Sequence, residues 1–159
     1  MQDVDLARPP VNDRTRSLGI ALLLCSLAAS ACASGRLLAA PRSADAGRGS
    51  ASAQVFVLRV SQVTGAAITV PVEIDGTQVA ELGTGDYLQF EVEPGPHVVV
   101  VGFEGREESQ RVVASAGGRY FFEFHFEILS TEGHDFLRPL DANEGERAIA
   151  SGKYSKLTE

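Results

Sequence analysis

Tryptophan is absent from this chain of 159 residues, methionine occurs once and cysteine twice. With no Trp and three Tyr, the exposed aromatic platforms that stack sugars are poorly supplied. No cysteine pair remains for a zinc site of closely spaced thiolates. Gly-x-Ser-x-Gly is missing, and with it the commonest serine-hydrolase elbow. Gly83-Thr84-Gly85 and Gly117-Gly118-Arg119 lack a Walker lysine or a Rossmann context and read as turn glycines. No apolar run reaches the ~20 residues of a comfortable transmembrane helix. Positive charge is scarce: 14 Lys and Arg stand against 21 Asp and Glu, for a net charge of −7. From residue 54 onward the balance is 8 against 17, net −9. Nucleic acid needs a basic surface, so it is excluded as a partner.

What is present first is a leader. Arg14 and Arg16 form a positive n-region, and Leu18 to Ala28 is an apolar h-region broken by Gly19, Cys25 and Ser26. Small residues then lead into Cys32. This predicts a signal peptide over 1–31 and lipid attachment at Cys32. Cys25 leaves with the leader, so Cys32 is the sole mature cysteine. A free thiol in an oxidising compartment is a liability, whereas a lipidated one is not. The lipobox is imperfect, since Ala29 stands where Leu is preferred. Ala29-Ser30-Ala31 and Ala31-Cys32-Ala33 also satisfy the A-x-A rule of ordinary signal peptidase, which leaves plain secretion as the alternative. Asp3, Asp5 and Asp13 sit oddly before an n-region, and a start at Val11 would give a compact one. Ala33 and Ser34 follow the cysteine without an Asp, which resembles outer-membrane sorting in bacteria with two membranes.

Residues 33–53 are dominated by Ala, Ser and Gly and have no apolar periodicity. They are expected to form a flexible linker that would span on the order of 25 Å as a coil. Arg36, Arg42 and Arg48 against Asp45 make it basic, the pattern of a solvated linker. From residue 54 the pattern turns to period two. Phe56, Leu58 and Val60 share one face, as do Ile68, Val70, Val72 and Ile74, then Leu88, Phe90 and Val92. Phe122, Phe124 and Phe126 alternate with Glu123, His125 and Glu127. His97 to Phe103 is apolar on both faces, as a central strand would be.

Asp75-Gly76 is a strong two-residue hairpin signal, and Pro94-Gly95 presets another tight turn. Seven strands result, at about 54–60, 67–74, 77–82, 86–93, 97–103, 109–115 and 119–128. The fold class is therefore all-β, a small antiparallel β-sandwich over 54–128. Pro71 lacks an N–H, which predicts an edge strand. A C-terminal tail over 129–159 follows. Its short helix is expected at about 144–151, opened by Asn143 and Glu146 as a capping box and stopped by Gly152.

The order Phe56-Val57-Leu58-Arg59, Val72-Glu73-Ile74-Asp75-Gly76, Gly85-Asp86-Tyr87 and Pro94-Gly95-Pro96-His97 resembles a domain of unknown function found in bacterial lipoproteins. It is also similar to PEGA-type surface repeats, although the tetrapeptide itself reads Glu93-Pro94-Gly95-Pro96 here. The resemblance covers about 54–128. It implies a β-sandwich and a cell-envelope location, and it brings no activity.

Chemistry-bearing residues are few. Glu123, His125 and Glu127 share a strand face, but same-face neighbours lie ~6.6 Å apart along a strand, so one strand supplies at best a partial site. A solvated outer face is the simpler reading. His97 follows a Pro-Gly turn and Tyr87 is a ring on a wet face near a loop. These two are the candidate binding residues; a concave pocket near them would favour a ligand over a protein partner. His134 falls in a polar loop. No catalytic residue, metal or cofactor is expected. The reading is a non-enzymatic, lipid-anchored envelope module that binds another envelope protein. The alternative is an accessory domain for a small ligand or glycan.

Overall fold

The computed structural model describes residues 33–39, 52–103, 105–126 and 137–158. The chain divides into two units, Met1–Ala31 and Cys32–Glu159, and every described residue lies in the second. That unit is an all-β sandwich with one short helix. Its elements run β1 (Arg36–Leu37), β2 (Ala53–Arg59), β3 (Val70–Ile74), β4 (Thr77–Leu82), β5 (Asp86–Val92), β6 (Gly95–Phe103), β7 (Arg106–Ala114), β8 (Arg119–Phe124), β9 (Leu137–Leu140), α1 (Ala142–Ala150) and β10 (Ser155–Lys156). One sheet has the order β1-β4-β3-β6-β7, the other β10-β5-β2-β8-β9; β2 and β8 run parallel, so the second sheet is mixed where the sequence predicts an antiparallel sandwich.

The seven strands expected from the periodicity are all there, as β2 to β8. Turn chemistry sets their joints. Asp75 and Gly76 both take positive φ, 53° and 74°, between Ile74 and its partner Thr77. That is the mirror-image turn whose twist matches a hairpin, and Asp and Gly tolerate it best. Opposite Val72 and Glu73, β4 carries one residue too many, and the register shifts there. The bulge lets Val79 and Ala80 both turn inward although they are consecutive.

The main core lies between the sheets. Val70, Val72, Val99 and Val101 of one sheet meet Val55, Val57, Leu88, Phe90, Phe122 and Phe124 of the other. A second cluster covers the outer face of the second sheet, where Phe56, Leu58, Phe121 and Leu140 pack with Ala148 and Ile149 of α1. Phe56 and Phe121 stack at 4.6 Å. Burying each such ring stabilises the fold by about 1.5–3 kcal/mol. Gly145 makes this possible, because a Cβ there would strike the Phe121 ring.

Several expectations change with this second core. Phe56 and Leu58 do not face the inter-sheet core; Ala53, Val55 and Val57 do. Strand β8 is not wet on one side, since Phe121 is 2 % and Glu123 9 % exposed. Phe122 and Phe124 are buried as expected, while Phe126 lies beyond the strand and is half-buried. Glu127 falls outside the described residues. Pro71 is not on an edge strand, because β3 lies between β4 and β6. It is tolerated because the ladder to β6 begins only at Val72.

The flanking segments differ too. Within the expected linker, β1 pairs Arg36 with Glu81 and Leu37 with Ala80 of β4. Gly35 N–H donates to Asp86 Oδ2 at 3.1 Å and Ala33 N–H to the Ala66 carbonyl at 3.2 Å. Residues 33–39 are thus part of the sandwich and not of a free coil. The tail is integral as well: β9 pairs with β8, and β10 runs parallel to β5. The helix is capped by Asp141, whose side chain accepts from Glu144 N–H, two residues earlier than the Asn143 box predicts. Gly152 stops it with φ of 69°.

Candidate functional site

Cys32 lies outside the described residues, and the chain that leaves it is docked within one residue, at Ala33. The loop that receives Ala33, residues 60–69 between β2 and β3, is built around Arg59. This residue points inward from β2 and is 1 % exposed. Its Nη1 donates to the Ile68 and Leu82 carbonyls, each at 2.7 Å, and its Nη2 to the Gly65 carbonyl at 2.7 Å. The guanidinium face lies 5.8 Å from the Phe126 ring. Burial lowers the Arg59 pKa, against a smaller raising influence from Asp86. Planar, multi-donor Arg can staple three carbonyls from one point, and Lys cannot.

The candidate binding residues do not meet. Tyr87 stands on the outer face of β5, half-buried against Phe56, Leu58 and their neighbours. Its register partners are Leu58 and Lys156. His97 is the third residue of β6, opposite Val112. Of the two, His97 lines the cleft described below and Tyr87 does not. The sequence placed Tyr87 on a wet face because nothing in it announces that α1 and β10 cover that face.

Around His97 the geometry is defined. Its Nδ1 lies 2.7 Å from Asp75 Oδ2 and its Nε2 2.7 Å from the Glu93 carbonyl. Val98 N–H donates to the other Asp75 oxygen at 2.9 Å. A carboxylate and a carbonyl both accept, so the arrangement favours the protonated imidazole, in which both ring nitrogens donate. Burial pulls the His97 pKa down, but the hydrogen bonds and charges of Asp75 and Glu93 outweigh it, and the value is raised. Burial pushes the Asp75 carboxyl up. The bonds from His97 and Val98 more than offset this, and it lies below its ordinary value. A cleft of about 390 Å³ opens beside this pair, floored by Ile74, Val79, Phe90 and Val92, with Glu91 and Glu93 at its rim. Two of the polar groups that line it, His97 and Asp75, already hold each other.

A second polar cluster sits under α1. Glu123 Oε2 accepts from His125 Nε2 at 2.9 Å and from Arg138 Nη2 and Nε at 2.7 and 3.0 Å. Glu123 Oε1 accepts from the Tyr154 hydroxyl at 3.0 Å. Arg138 also reaches Glu144 of α1 at 3.0 Å. Burial pushes the Glu123 carboxyl up, and its three donors together bring it below the usual range. Burial and the bond to Glu123 push the Tyr154 hydroxyl up to about 12. Its near-full set of donors makes Glu123 a pin joining β8, β9, α1 and the C-terminal segment. A proton-transferring base needs an unengaged oxygen close to a substrate. The sequence named Glu123 and His125 but not Arg138, Glu144 or Tyr154, whose approach depends on how the tail folds back.

Among the described residues, no three His, Cys, Asp or Glu side chains converge on a point that could hold a metal ion. None of the described helices is long and apolar enough to cross a membrane. His134 falls outside the described residues. No protein-family model matches the chain, and no curated protein matches it.

Proposed function

We propose that this chain is a lipid-anchored module of the cell envelope, attached through Cys32 and working by contact with another envelope protein rather than by catalysis. The observation that carries the reading is the docking of the chain directly after Cys32. Ala33 and Gly35 are hydrogen-bonded to the domain, and Arg36–Leu37 are a strand of it. An anchor at Cys32 would hold the folded body itself. The leader pattern before Cys32 supports the same reading, with an outer membrane as the site of anchorage. Non-catalytic action is supported by the two polar clusters, whose carboxylates and imidazoles are engaged with each other.

The test is fractionation of cells with mass analysis of the mature N-terminus. Wild type should partition with membranes and begin at an acylated Cys32, and Cys32→Ser should become soluble. More than one acyl chain gives a stable anchor, at ~0.8 kcal/mol per buried methylene. A soluble wild type beginning at Ser34, or one with a free thiol, sinks the proposal. Purification of the mature protein from native envelopes tests the partner; a lone, companionless chain would count against it. The cleft beside His97 favours a second reading, an accessory domain for a small ligand or glycan. It ranks second because His97 and Asp75 are already paired.

A further inference from the structure

We infer that the loop of residues 60–69 is a membrane-contact element whose tip, Val63, seats in the headgroup–acyl boundary of the bilayer that holds Cys32. The inference rests on the lipid anchor proposed above and adds which face of the domain the lipid surface meets. Val63 is 95 % exposed, against 74 % for Val113 and 44 % for Leu38, the other exposed large apolar side chains among the described residues. A single exposed valine is ordinary in itself. Its position gives it meaning.

The path from anchor to tip is short and bonded throughout. Cys32 and Ala33 are adjacent, so their Cα atoms are about 3.8 Å apart. Ala33 N–H donates to the Ala66 carbonyl at 3.2 Å, and Ala66 N–H donates to the Val63 carbonyl at 3.2 Å. The chain that leaves Cys32 therefore enters the domain, at Ala33, beside the turn that presents Val63. The strand ends agree. Val60 to Thr69 joins Arg59 of β2 to Val70 of β3, and the Gly83–Gly85 turn lies at the same end, through Gln62 N–H on Thr84 Oγ1 at 3.0 Å. His97 and Asp75 occupy the opposite end, since Ile74 closes β3 and Gly95 opens β6.

The loop is also held, which separates it from a floppy surface tip. Arg59 fixes the Gly65 and Ile68 carbonyls from below. The Gln62 side chain accepts from Phe126 N–H at 3.1 Å. A rigid apolar tip loses little conformational freedom on entering the interface, where side chains bury to about 5–10 Å. With no free tether after Cys32, acylation would bring this end, and the opposite end with the His97 cleft would face away from the bilayer.

The experiment uses the full chain, processed by its host and reconstituted in phosphatidylethanolamine–phosphatidylglycerol vesicles containing doxyl-labelled lipid. Val63→Cys supplies a unique thiol for an environment-sensitive dye if Cys32 is acylated, and Val113→Cys is the control at a distant exposed position. The expected result is fluorescence quenched about twofold or more at position 63 and nearly unchanged at 113, as shallow interfacial insertion requires. Equal, slight quenching at both sites in protein that floats with the vesicles and carries an acylated N-terminus overturns the inference and leaves the anchor standing. So does a dye at 63 that lipid leaves unchanged and that is shielded only when envelope proteins are added. Protein that does not float and lacks acylation overturns both.

Discussion

The two ring nitrogens of His97 lie 2.7 Å from Asp75 Oδ2 and from the Glu93 carbonyl oxygen, and so tie the β3–β4 hairpin to the crossover between the two sheets. The clasp depends on charge. A raised imidazole pKa contributes stability that is whole below the unfolded value of ~6.5 and is lost as pH rises through the folded value. The lowered Asp75 carboxyl contributes above ~3.9, and its share is lost as pH falls through the depressed folded value. Asp75→Asn keeps a residue that tolerates positive φ. Its melting temperature should fall short of wild type at mildly acidic pH, and the gap should close as pH rises through the His97 titration. NMR titration of His97 should show its pKa drop in the variant. A gap independent of pH would mean that the loss is one of turn conformation alone.

Gly145→Ala tests the second core. In an exposed helix this change adds up to about 1 kcal/mol of stability. Here the new Cβ meets the Phe121 ring, and the helix must lift or the ring must turn. The expected outcome is a loss of about 1–3 kcal/mol, the usual cost of overpacking. In a Phe121→Ala background the same change should cost much less. Thermal melts of the four proteins give the coupling directly.

Phe124→Ala should destabilise by roughly 3–5 kcal/mol, the ordinary cost of deleting a buried ring. Phe121→Ala should cost a similar amount although it lies on the opposite face of β8, because that face is buried too. Urea unfolding of both variants checks this. A Phe121→Ala protein that unfolds with wild type would show that the α1 face contributes little.

The difference between these faces marks what the sequence could tell. Alternation located β2 to β8, and Asp75-Gly76 located a turn, because a strand with one wet face and a mirror-image hairpin each leave a local trace. Where both faces are covered the trace disappears. In β2, the inward set is Val55 and Val57 and the outward set Phe56 and Leu58, and composition alone gives no means of ranking them. Strands β1 and β10 are two residues each, too short for any period. Glu123 has the alternation of a solvated residue; its burial follows from Arg138 and Tyr154, 15 and 31 positions away. Charged partners at that distance cannot be read from spacing.

Arg59 shows the same limit and a sharper test. Arg59→Met would remove the donor for three carbonyls and should destabilise the domain by about 3–5 kcal/mol, since buried acceptors are left unpaired. Arg59→Lys should recover little, because one ammonium on a flexible stem does not match a planar fork. Local effects should exceed global ones. Amide exchange at Ala66 and Ile68, whose N–H groups donate within the loop to Val63 and Gly65, should accelerate in Arg59→Lys before the sandwich as a whole opens.

The hydroxyl of Tyr154 supplies the last prediction. It donates to Glu123 Oε1 at 3.0 Å, and with burial this raises its pKa to about 12. A raised phenol contributes stability that is whole below the unfolded value of ~10 and is lost as pH rises through the folded one. Ultraviolet titration of the phenolate should therefore show one of the three tyrosines ionising late. Glu123→Gln keeps an acceptor for the hydroxyl but removes the charge, and the late step should move toward ~10. The same variant frees Arg138 from its carboxylate on β8 while leaving its bond to Glu144. If Glu123 is the pin between β8 and the C-terminal segment, proteolysis after Lys153 or Lys156 should quicken in Glu123→Gln at neutral pH. If cleavage there is unchanged while the tyrosine step moves, the hydrogen bond tunes the phenol without fastening the tail, and α1 is held by Phe121 and its neighbours alone.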